Sequence, residues 1–290
     1  MDTKVIKMSY EEIQDLKRKY QHSRINYNVA HTHFQIKGSD FTITAYKSGK
    51  VVFQAADLSL HLTGIETKNE KKPINTKVMS GSDEVGTGDY FGPVTVCAVY
   101  LEEEDYDYLP LHKIRDTKEI SDDLVYELAP MLIDNTKHSL LILNNEKYNI
   151  IQKTNNLNQI KAKLHNQAFV HLDNKYGLPK VNIIDQFTPK DLYYRYLQGE
   201  EKIIDTLIFE TKAENKYLAV ACAAIIARYA FLETLRALEE KYDFIFPKGS
   251  GKIVDIKGKE FVEKFGEKEL RKVAKLHFKN TERILTEHQV

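Results

Sequence analysis

The 290-residue chain is poor in cysteine and has no tryptophan; its only cysteines are Cys97 and Cys222. Both lie inside apolar runs, "VTVCAVYL" and "AVACAAII", which is typical of small buried side chains in a reducing compartment. This pattern argues against a disulfide framework and against a cysteine-based metal site.

The sequence also predicts no apolar leader. Its first residues, "MDTKVIKMSYEE", are too polar for a signal peptide, and no apolar run approaches the length of a membrane span. Hydrophobic residues make up 42% and charged residues 29%, as in ordinary soluble proteins, and 290 residues suit two domains or one large one. We therefore expect a cytoplasmic protein with no membrane contact. Nothing implies a protein partner, and we expect a monomer.

The zero net charge conceals an asymmetry. Residues 1–77 contain 13 Lys and Arg against 8 Asp and Glu, a net of +5, which leaves −5 for residues 78–290. A basic front segment suits binding of an anionic partner, although an excess of this size also arises by chance.

The front segment has the pattern of a small α+β domain. Ser9 and Glu12 form a capping-box signature for a helix with Ile13, Leu16 and Tyr20 on one face. Three strands separated by turns follow in "HTHFQIKGSDFTITAYKSGKVVFQA". The polar stretch "TKNEKKPINTK" then predicts a linker. The predicted divisions are residues 1–66, 67–77 and 78–290.

Strands and longer helices alternate after the linker, which predicts an α/β layer with helices packed on a central sheet. "VMSGSDEV" and "PVTVCAVYL" form a predicted hairpin, and "SLLILNN" and "KVNIIDQF" are predicted strands. Helices are predicted from Ser121 to about residue 134, in "NLNQIKAKLHNQAFVHLDNKY" and in "NKYLAVACAAIIARYAFLETLRALEEKY".

Four acids are candidates for chemistry. Asp83 and Glu84 precede the glycine turn in "GSDEVGTGDYFGPV", Asp185 follows a buried strand, and Glu214 precedes the long apolar helix. Each also has an ordinary interpretation: an acidic surface turn, a solvated loop acid, or an acid favoured by the dipole at a helix start. If the four converge, divalent cations, which favour oxygen ligands such as carboxylates, are needed to offset their repulsion. No Walker loop or dinucleotide fingerprint is present.

Five blocks of the sequence resemble the ribonuclease HIII family of type 2 ribonucleases H. They are "DEVGTGDYFGPV", "RDTKEISD" at 115–122, "NNLNQIKAKLHNQA" at 155–168, "IIDQF" at 183–187 and "AENKYLAVACAAIIAR" at 213–228. The blocks follow the family's order, and the front segment is similar to its N-terminal domain, so the resemblance covers nearly the whole chain. It implies a ribonuclease H-like catalytic domain and a front domain that resembles the TATA-binding-protein fold.

The resemblance implies an endonuclease that cleaves the RNA strand of RNA–DNA hybrids and leaves 5′-phosphate and 3′-hydroxyl ends. Mg²⁺ or Mn²⁺, two ions per site, would be held by the family's acids: Asp83, Glu84, Asp185 and Glu214. Two alternatives stay open: incision at single ribonucleotides in duplex DNA, and a non-catalytic hybrid-binding protein.

Further residues are candidates for substrate contacts. The backbone of Gly86, Thr87 and Gly88 can approach a sugar-phosphate strand closely and contact its 2′-hydroxyls. Lys118 is a candidate phosphate contact, with a solvated surface lysine as its alternative. In the front segment, the candidates flank a turn and are Tyr46, Lys47 and Lys50, although a core position suits the tyrosine equally well.

Overall fold

The computed structural model describes residues 2–8, 10–62, 78–110, 113–114 and 121–286. Its contacts divide the chain into two compact units, residues 1–74 and residues 75–290. The predicted helix cap Ser9, the predicted linker at 67–77 and the candidate phosphate contact Lys118 lie outside the described residues.

The front unit is a five-stranded antiparallel sheet with one main helix. Its elements are β1 (Asp2–Lys7), α1 (Tyr10–Lys19), β2 (Arg24–Asn26), β3 (Thr32–Lys37), β4 (Phe41–Tyr46), β5 (Lys50–Ala55) and α2 (Ser59–Leu62). The strand order is β1-β5-β4-β3-β2, and every pairing is antiparallel.

Packing of α1 on one face of this sheet explains the alternation in the strands. Ile13 and Leu16 of the helix are buried in one cluster with strand residues such as Ile36, Ile43 and Phe53. The predicted helix and the three predicted strands are confirmed. β1 and β2 were not predicted, because β2 has only three residues and β1 places lysines and a threonine among its apolar residues.

The second unit contains a mixed five-stranded sheet. Its elements are β6 (Met79–Val85), β7 (Val94–Leu101), a 3₁₀ turn (Glu104–Asp107), α3 (Asp122–Asn135), β8 (Lys137–Leu143), α4 (Asn145–Ile151), α5 (Leu157–Tyr176), β9 (Asn182–Asp185), α6 (Lys190–Tyr196), β10 (Leu207–Glu210), a 3₁₀ turn (Ala213–Asn215), α7 (Leu218–Tyr242), α8 (Lys252–Phe265), α9 (Glu267–Val273) and α10 (Lys279–Leu285).

The strand order is β10-β9-β6-β7-β8. The hairpin β6–β7 and its neighbour β8 are antiparallel, whereas β9 pairs in parallel with both β6 and β10. The predicted hairpin, the predicted strands and the three predicted helices are therefore present. β10, α4, α6 and the helices after α7 were not predicted.

Helices cover both faces of this sheet. α7 approaches β6 so closely that a Cβ on Gly81 would lie 2.6 Å from the backbone nitrogen of Val220. On the other face, the Ser82 hydroxyl is 2.8 Å from Nδ1 of His165 in α5. Because side chains alternate along a strand, odd-numbered residues of β6 face α7 and even-numbered residues face α5.

Helix α7 corrects one expectation from the sequence. Among the described residues it is the one helix long and apolar enough to cross a membrane by length and composition, so the expectation that no apolar run reaches that length is wrong. Its most apolar window is 72% buried inside the unit. Packing on the sheet therefore accounts for its composition. Cys222 in this helix and Cys97 in β7 are buried and free, as predicted.

Candidate active site

Asp83 in β6 and Asp185 at the end of β9 lie side by side on neighbouring parallel strands. Ser82 of β6 pairs with Ile184 of β9, and each acid comes one residue later. The parallel arrangement thus brings together two carboxylates that lie about a hundred residues apart in the chain. Ile184 packs in the cluster on the α5 side, so Asp185 faces the α7 side, as Asp83 does.

Glu214 reaches the same place through a tight turn. β10 pairs with β9, and the chain then turns through Lys212, a non-glycine residue at φ 53°, into the 3₁₀ turn that carries Glu214. The backbone N–H of Ala213 donates to Oδ1 of Asp185 at 2.8 Å, which ties this turn to the end of β9.

Negative charge is concentrated around Asp83. Burial raises the pKa of this half-buried carboxyl well above its ordinary value, and the charges of Glu84, Asp185 and Glu214 raise it further. The hydrogen bond from the backbone N–H of Glu84, 2.7 Å from Oδ1, only partly opposes this effect. The four predicted acids therefore form one electrostatic cluster at the ends of β6 and β9.

Glu84 is held differently, because it lies on the opposite face of β6. One of its oxygens pairs with the ammonium of Lys161, and the other accepts a hydrogen bond from Nε2 of His165 at 2.8 Å. His165 is itself fixed by Ser82, and the ring of Phe187 stacks on His165 and lies 3.9 Å from the Lys161 ammonium.

These partners reverse the effect of burial on Glu84. Burial opposes ionisation, but the hydrogen bond and charge of His165 and the ammonium of Lys161 lower the pKa of the carboxyl below its ordinary value. Lys161 and His165 were not predicted as functional residues. The spacing of "KAKLH" on one helix face was a signal for them, but their partner Glu84 lies about eighty residues away.

The glycine loop between β6 and β7 follows the two adjacent acids. Gly86 has φ 91°, and a Cβ there would lie 2.2 Å from the carbonyl oxygen of Pro93, so the turn itself requires this glycine. Gly88 is exposed, and a Cβ there would meet no atom within 4 Å. The loop therefore presents an open backbone at Thr87 and Gly88.

The acid cluster fits divalent cations by its chemistry. It offers oxygen ligands only, and bound cations would offset the burial and the carboxylate charges that raise the pKa of Asp83. The acids are not arranged as a ready-made ligand set, since no group of three or more His, Cys, Asp or Glu side chains forms one among the described residues. Protein donors engage them instead, including Asn215 Nδ2, 2.7 Å from Oε1 of Glu214.

The three front-unit candidates lie at one turn. Tyr46 ends β4 and is half-buried, whereas Lys47 and Lys50 are exposed on either side of the turn closed by the 2.9 Å bond from Gly49 N to the Tyr46 carbonyl.

Comparison with known proteins identifies the family. The family described as Ribonuclease HII matches residues 80–281. The chain belongs to the ribonuclease HII family. Residues 3–73 match a family described as a domain of unknown function, DUF3378. The family match covers the whole acid cluster and the glycine loop.

The relatives extend over both units. Ribonuclease HIII of Bacillus cereus is 38% identical over 97% of each chain, and Ribonuclease HIII of Bacillus pumilus is 39% identical over 98% of each. A crystal structure described as Bst-RNase HIII in complex with Mn²⁺ is 33% identical, with a TM-score of 0.72 over 99% of each chain. The predicted family, the ribonuclease H enzyme class and the predicted fold class are thereby confirmed.

Proposed function

We propose that the chain is an endonuclease that hydrolyses the RNA strand of RNA–DNA hybrids by metal-assisted attack of water and leaves 5′-phosphate and 3′-hydroxyl ends. One observation carries this proposal: four carboxylates cluster at the ends of two parallel strands, beside an open glycine loop. The names of the relatives and the Mn²⁺ in a related crystal structure support it. We place the activity in the cytoplasm, since both cysteines are free.

Asp83, Glu84, Asp185 and Glu214 would hold Mg²⁺ or Mn²⁺, two ions per site. Bound ions of this kind activate a water and stabilise the leaving oxygen of a phosphodiester. The chain prepares the site for them: Lys161 and His165 keep Glu84 ionised and oriented, and the Ala213 amide fixes Asp185. Groups that orient a metal ligand in this way commonly contribute tenfold or more to affinity or activity, roughly.

The glycine loop is proposed to recognise the RNA strand. With no side chain at Gly86 or Gly88, and open space at Gly88, the backbone around Thr87 can come within hydrogen-bond distance of a sugar. The 2′-hydroxyl both donates and accepts hydrogen bonds, so backbone groups can distinguish ribose from deoxyribose. Lys118 is proposed as a phosphate contact.

The front unit is proposed to hold the substrate, with residues 1–66 as binding domain, 67–77 as linker and 78–290 as catalytic domain. The sheet face opposite α1 is largely polar, although it also carries Val5 and Val52: Gln35 pairs with Thr44, and Thr42 pairs with Gln54. Exposed Arg24 and Lys37 lie opposite each other on the same face. Such a surface, with Lys47, Lys50 and Tyr46 at its edge, suits contacts to phosphates and sugars that carry no sequence information.

A labelled hybrid tests the proposal directly. We expect cleavage of the RNA strand with Mg²⁺ or Mn²⁺ and none with EDTA. Phosphatase treatment of the products should remove a 5′-phosphate. A duplex with one embedded ribonucleotide, run in parallel, separates hybrid cleavage from single-ribonucleotide incision. Tight binding of the hybrid without cleavage under any metal condition would instead favour the non-catalytic alternative.

A further inference from the structure

Lys275 is a fully buried cation that lies outside the acid cluster. Its ammonium donates to the carbonyl oxygens of Asp89 at 2.8 Å and of Gly92 at 2.6 Å. Its backbone N–H donates to the carbonyl oxygen of Tyr90 at 2.9 Å. One residue near the end of the chain thus binds three carbonyls in the second half of the glycine loop.

Neighbouring groups complete this anchorage. The Gly92 N–H donates to the Val273 carbonyl at 2.9 Å, and the side-chain amide of Asn145 donates to the Gly92 carbonyl at 2.8 Å. The Tyr90 N–H donates to the Gly249 carbonyl at 2.8 Å. We call Lys275, Asn145 and the backbones of Val273 and Gly249 the loop clamp.

The exposed half of the loop has little support of its own. Within the turn from Gly86 to Asp89, the backbone bond from the Asp89 N–H to the Gly86 carbonyl is long, at 3.4 Å. Gly88 packs against nothing that a Cβ would reach. The orientation of the open turn therefore depends on β6 at one end and on the clamped half of the loop at the other.

A lysine at this position is costly for the fold. Burial lowers the pKa of Lys275 to about 7, and the charge of Asp89 only partly opposes the shift. Burying an ammonium is unfavourable unless hydrogen bonds compensate. An apolar side chain would avoid that cost, but it could not bind two carbonyls three residues apart. A buried lysine of this kind beside a cluster of candidate catalytic acids is typical of a functional site.

We propose that Lys275 is a positioning residue for RNA-strand recognition, because its grip on Asp89 and Gly92 fixes the turn that presents the backbone at Thr87 and Gly88. The inference rests on the proposed function, which assigns ribose contacts to that turn. Discrimination by backbone groups requires placement to within about half an ångström, which a loosely held loop does not provide.

The test compares Lys275→Met with Lys268→Met, which removes the same charge from an exposed position in α9. Circular dichroism first establishes that both full-length variants are folded. On a uniform hybrid, we expect kcat of Lys275→Met to fall about tenfold to a hundredfold with KM within about threefold, since misplacement affects the reacting geometry more than binding. Lys268→Met should behave as wild type. If the methionine variant does not fold, Lys275→Gln, which keeps one amide donor, takes its place.

A double variant with Gly88→Val separates positioning from general stability. If Lys275 acts through the loop, the double variant should cleave the hybrid no more slowly than the slower of the two single variants. The reason is that both changes impair the same loop. Losses that multiply would overturn the positioning role, as would full recovery of Lys275→Met on cooling. A wild-type enzyme that cleaves no hybrid would overturn the proposed function and this inference together. Cleavage by wild type with an unimpaired Lys275→Met would overturn this inference alone.

Discussion

Two adjacent acids, Asp83 and Glu84, have opposite environments although they are neighbours in sequence. Strand alternation places them on opposite faces of β6, and the pKa of Asp83 is raised while that of Glu84 is lowered. Pairs of acids whose environments separate their pKa values in this way commonly have different tasks in catalysis. Burial and the neighbouring carboxylates oppose ionisation of Asp83, whereas His165 and Lys161 favour ionisation of Glu84.

The support of Glu84 can be tested with two lysines of one helix. Lys161 is buried against Glu84, whereas Lys163 is more exposed and pairs with Glu200. We expect Lys161→Met to lower kcat on a hybrid about tenfold to a hundredfold, as for other groups that orient metal ligands. Lys163→Met, the matched control, should stay within about twofold of wild type, because exposed ion pairs contribute little. Equal effects of the two changes would show that Lys161 has no special role in supporting Glu84.

At the scale of elements, the glycine loop contains one glycine that the turn requires, Gly86, and one that we propose lies against the substrate, Gly88. Gly86→Ala should destabilise the fold by about 1–3 kcal/mol, since alanine there combines a positive φ with a clash against Pro93. Gly88→Val should leave the melting temperature within a few degrees, yet lower hybrid cleavage, to a rate that is still measurable, far more than that shift explains. Thermal unfolding and cleavage assays on both variants check this. If Gly88→Val lost stability and activity in parallel, this glycine would serve only the turn.

The loop clamp also predicts a pH dependence of stability. The pKa of Lys275 is about 7 in the folded chain and lies near its ordinary 10.5 when unfolded. Between these values only the unfolded chain holds the proton, so the free energy of unfolding rises with pH, by up to about 5 kcal/mol over the window. Below pH 7 both states are protonated and the full penalty of burial remains.

Urea denaturation of wild type and Lys275→Met across pH 6–10 isolates this contribution. Asp89, His277 and Tyr148 lie around this side chain in both proteins, and Lys275 itself lowers the pKa of His277, so the difference between the two curves above pH 7 mainly reports Lys275. Wild type should gain stability relative to the variant as pH rises above 7. A difference that does not vary with pH would show that the ammonium is not desolvated as the structure indicates.

Elements with a regular period were predictable from the sequence, and elements that depend on distant neighbours were not. The apolar spacing of Ile13 and Leu16 and the long run in α7 identified their helices. The strand β10 has four residues and, within the described part of the chain, pairs with β9 as its one neighbouring strand. Lys161 likewise has the sequence pattern of a helix-surface lysine, and only the packing of α5 against β6 reveals its partner Glu84. The order of the blocks, in contrast, identified the family, while the roles of the four acids stay predictions.

For the whole molecule, the two units predict separable binding and catalysis, since each has its own hydrophobic cluster. We expect a chain that begins at residue 78 to fold. Its KM for hybrids should be raised much more than its kcat is lowered, because the lost contacts bind the substrate and the transition state equally. The double change Lys47→Ala and Lys50→Ala in the full chain should reproduce part of this loss of binding. It should also reduce the slope of log binding constant against log salt concentration by up to about two. Equal affinity of the shortened and full chains across a salt titration would contradict a binding role for the front unit.

The central claim is that the acid cluster hydrolyses the hybrid, and paired binding and cleavage assays on acid variants test it most directly. Asp83→Asn, Asp185→Asn and Glu214→Gln should each abolish cleavage at saturating Mg²⁺ or Mn²⁺ while binding persists, because binding rests on phosphate contacts. The matched control is Glu210→Gln: Glu210 also lies beside Asp185 and pairs with Lys216, but it is not among the charges that raise the Asp83 pKa. The account predicts that this control stays active. Near-normal turnover in Asp83→Asn or Asp185→Asn, or a greater loss in Glu210→Gln than in Glu214→Gln, would contradict it.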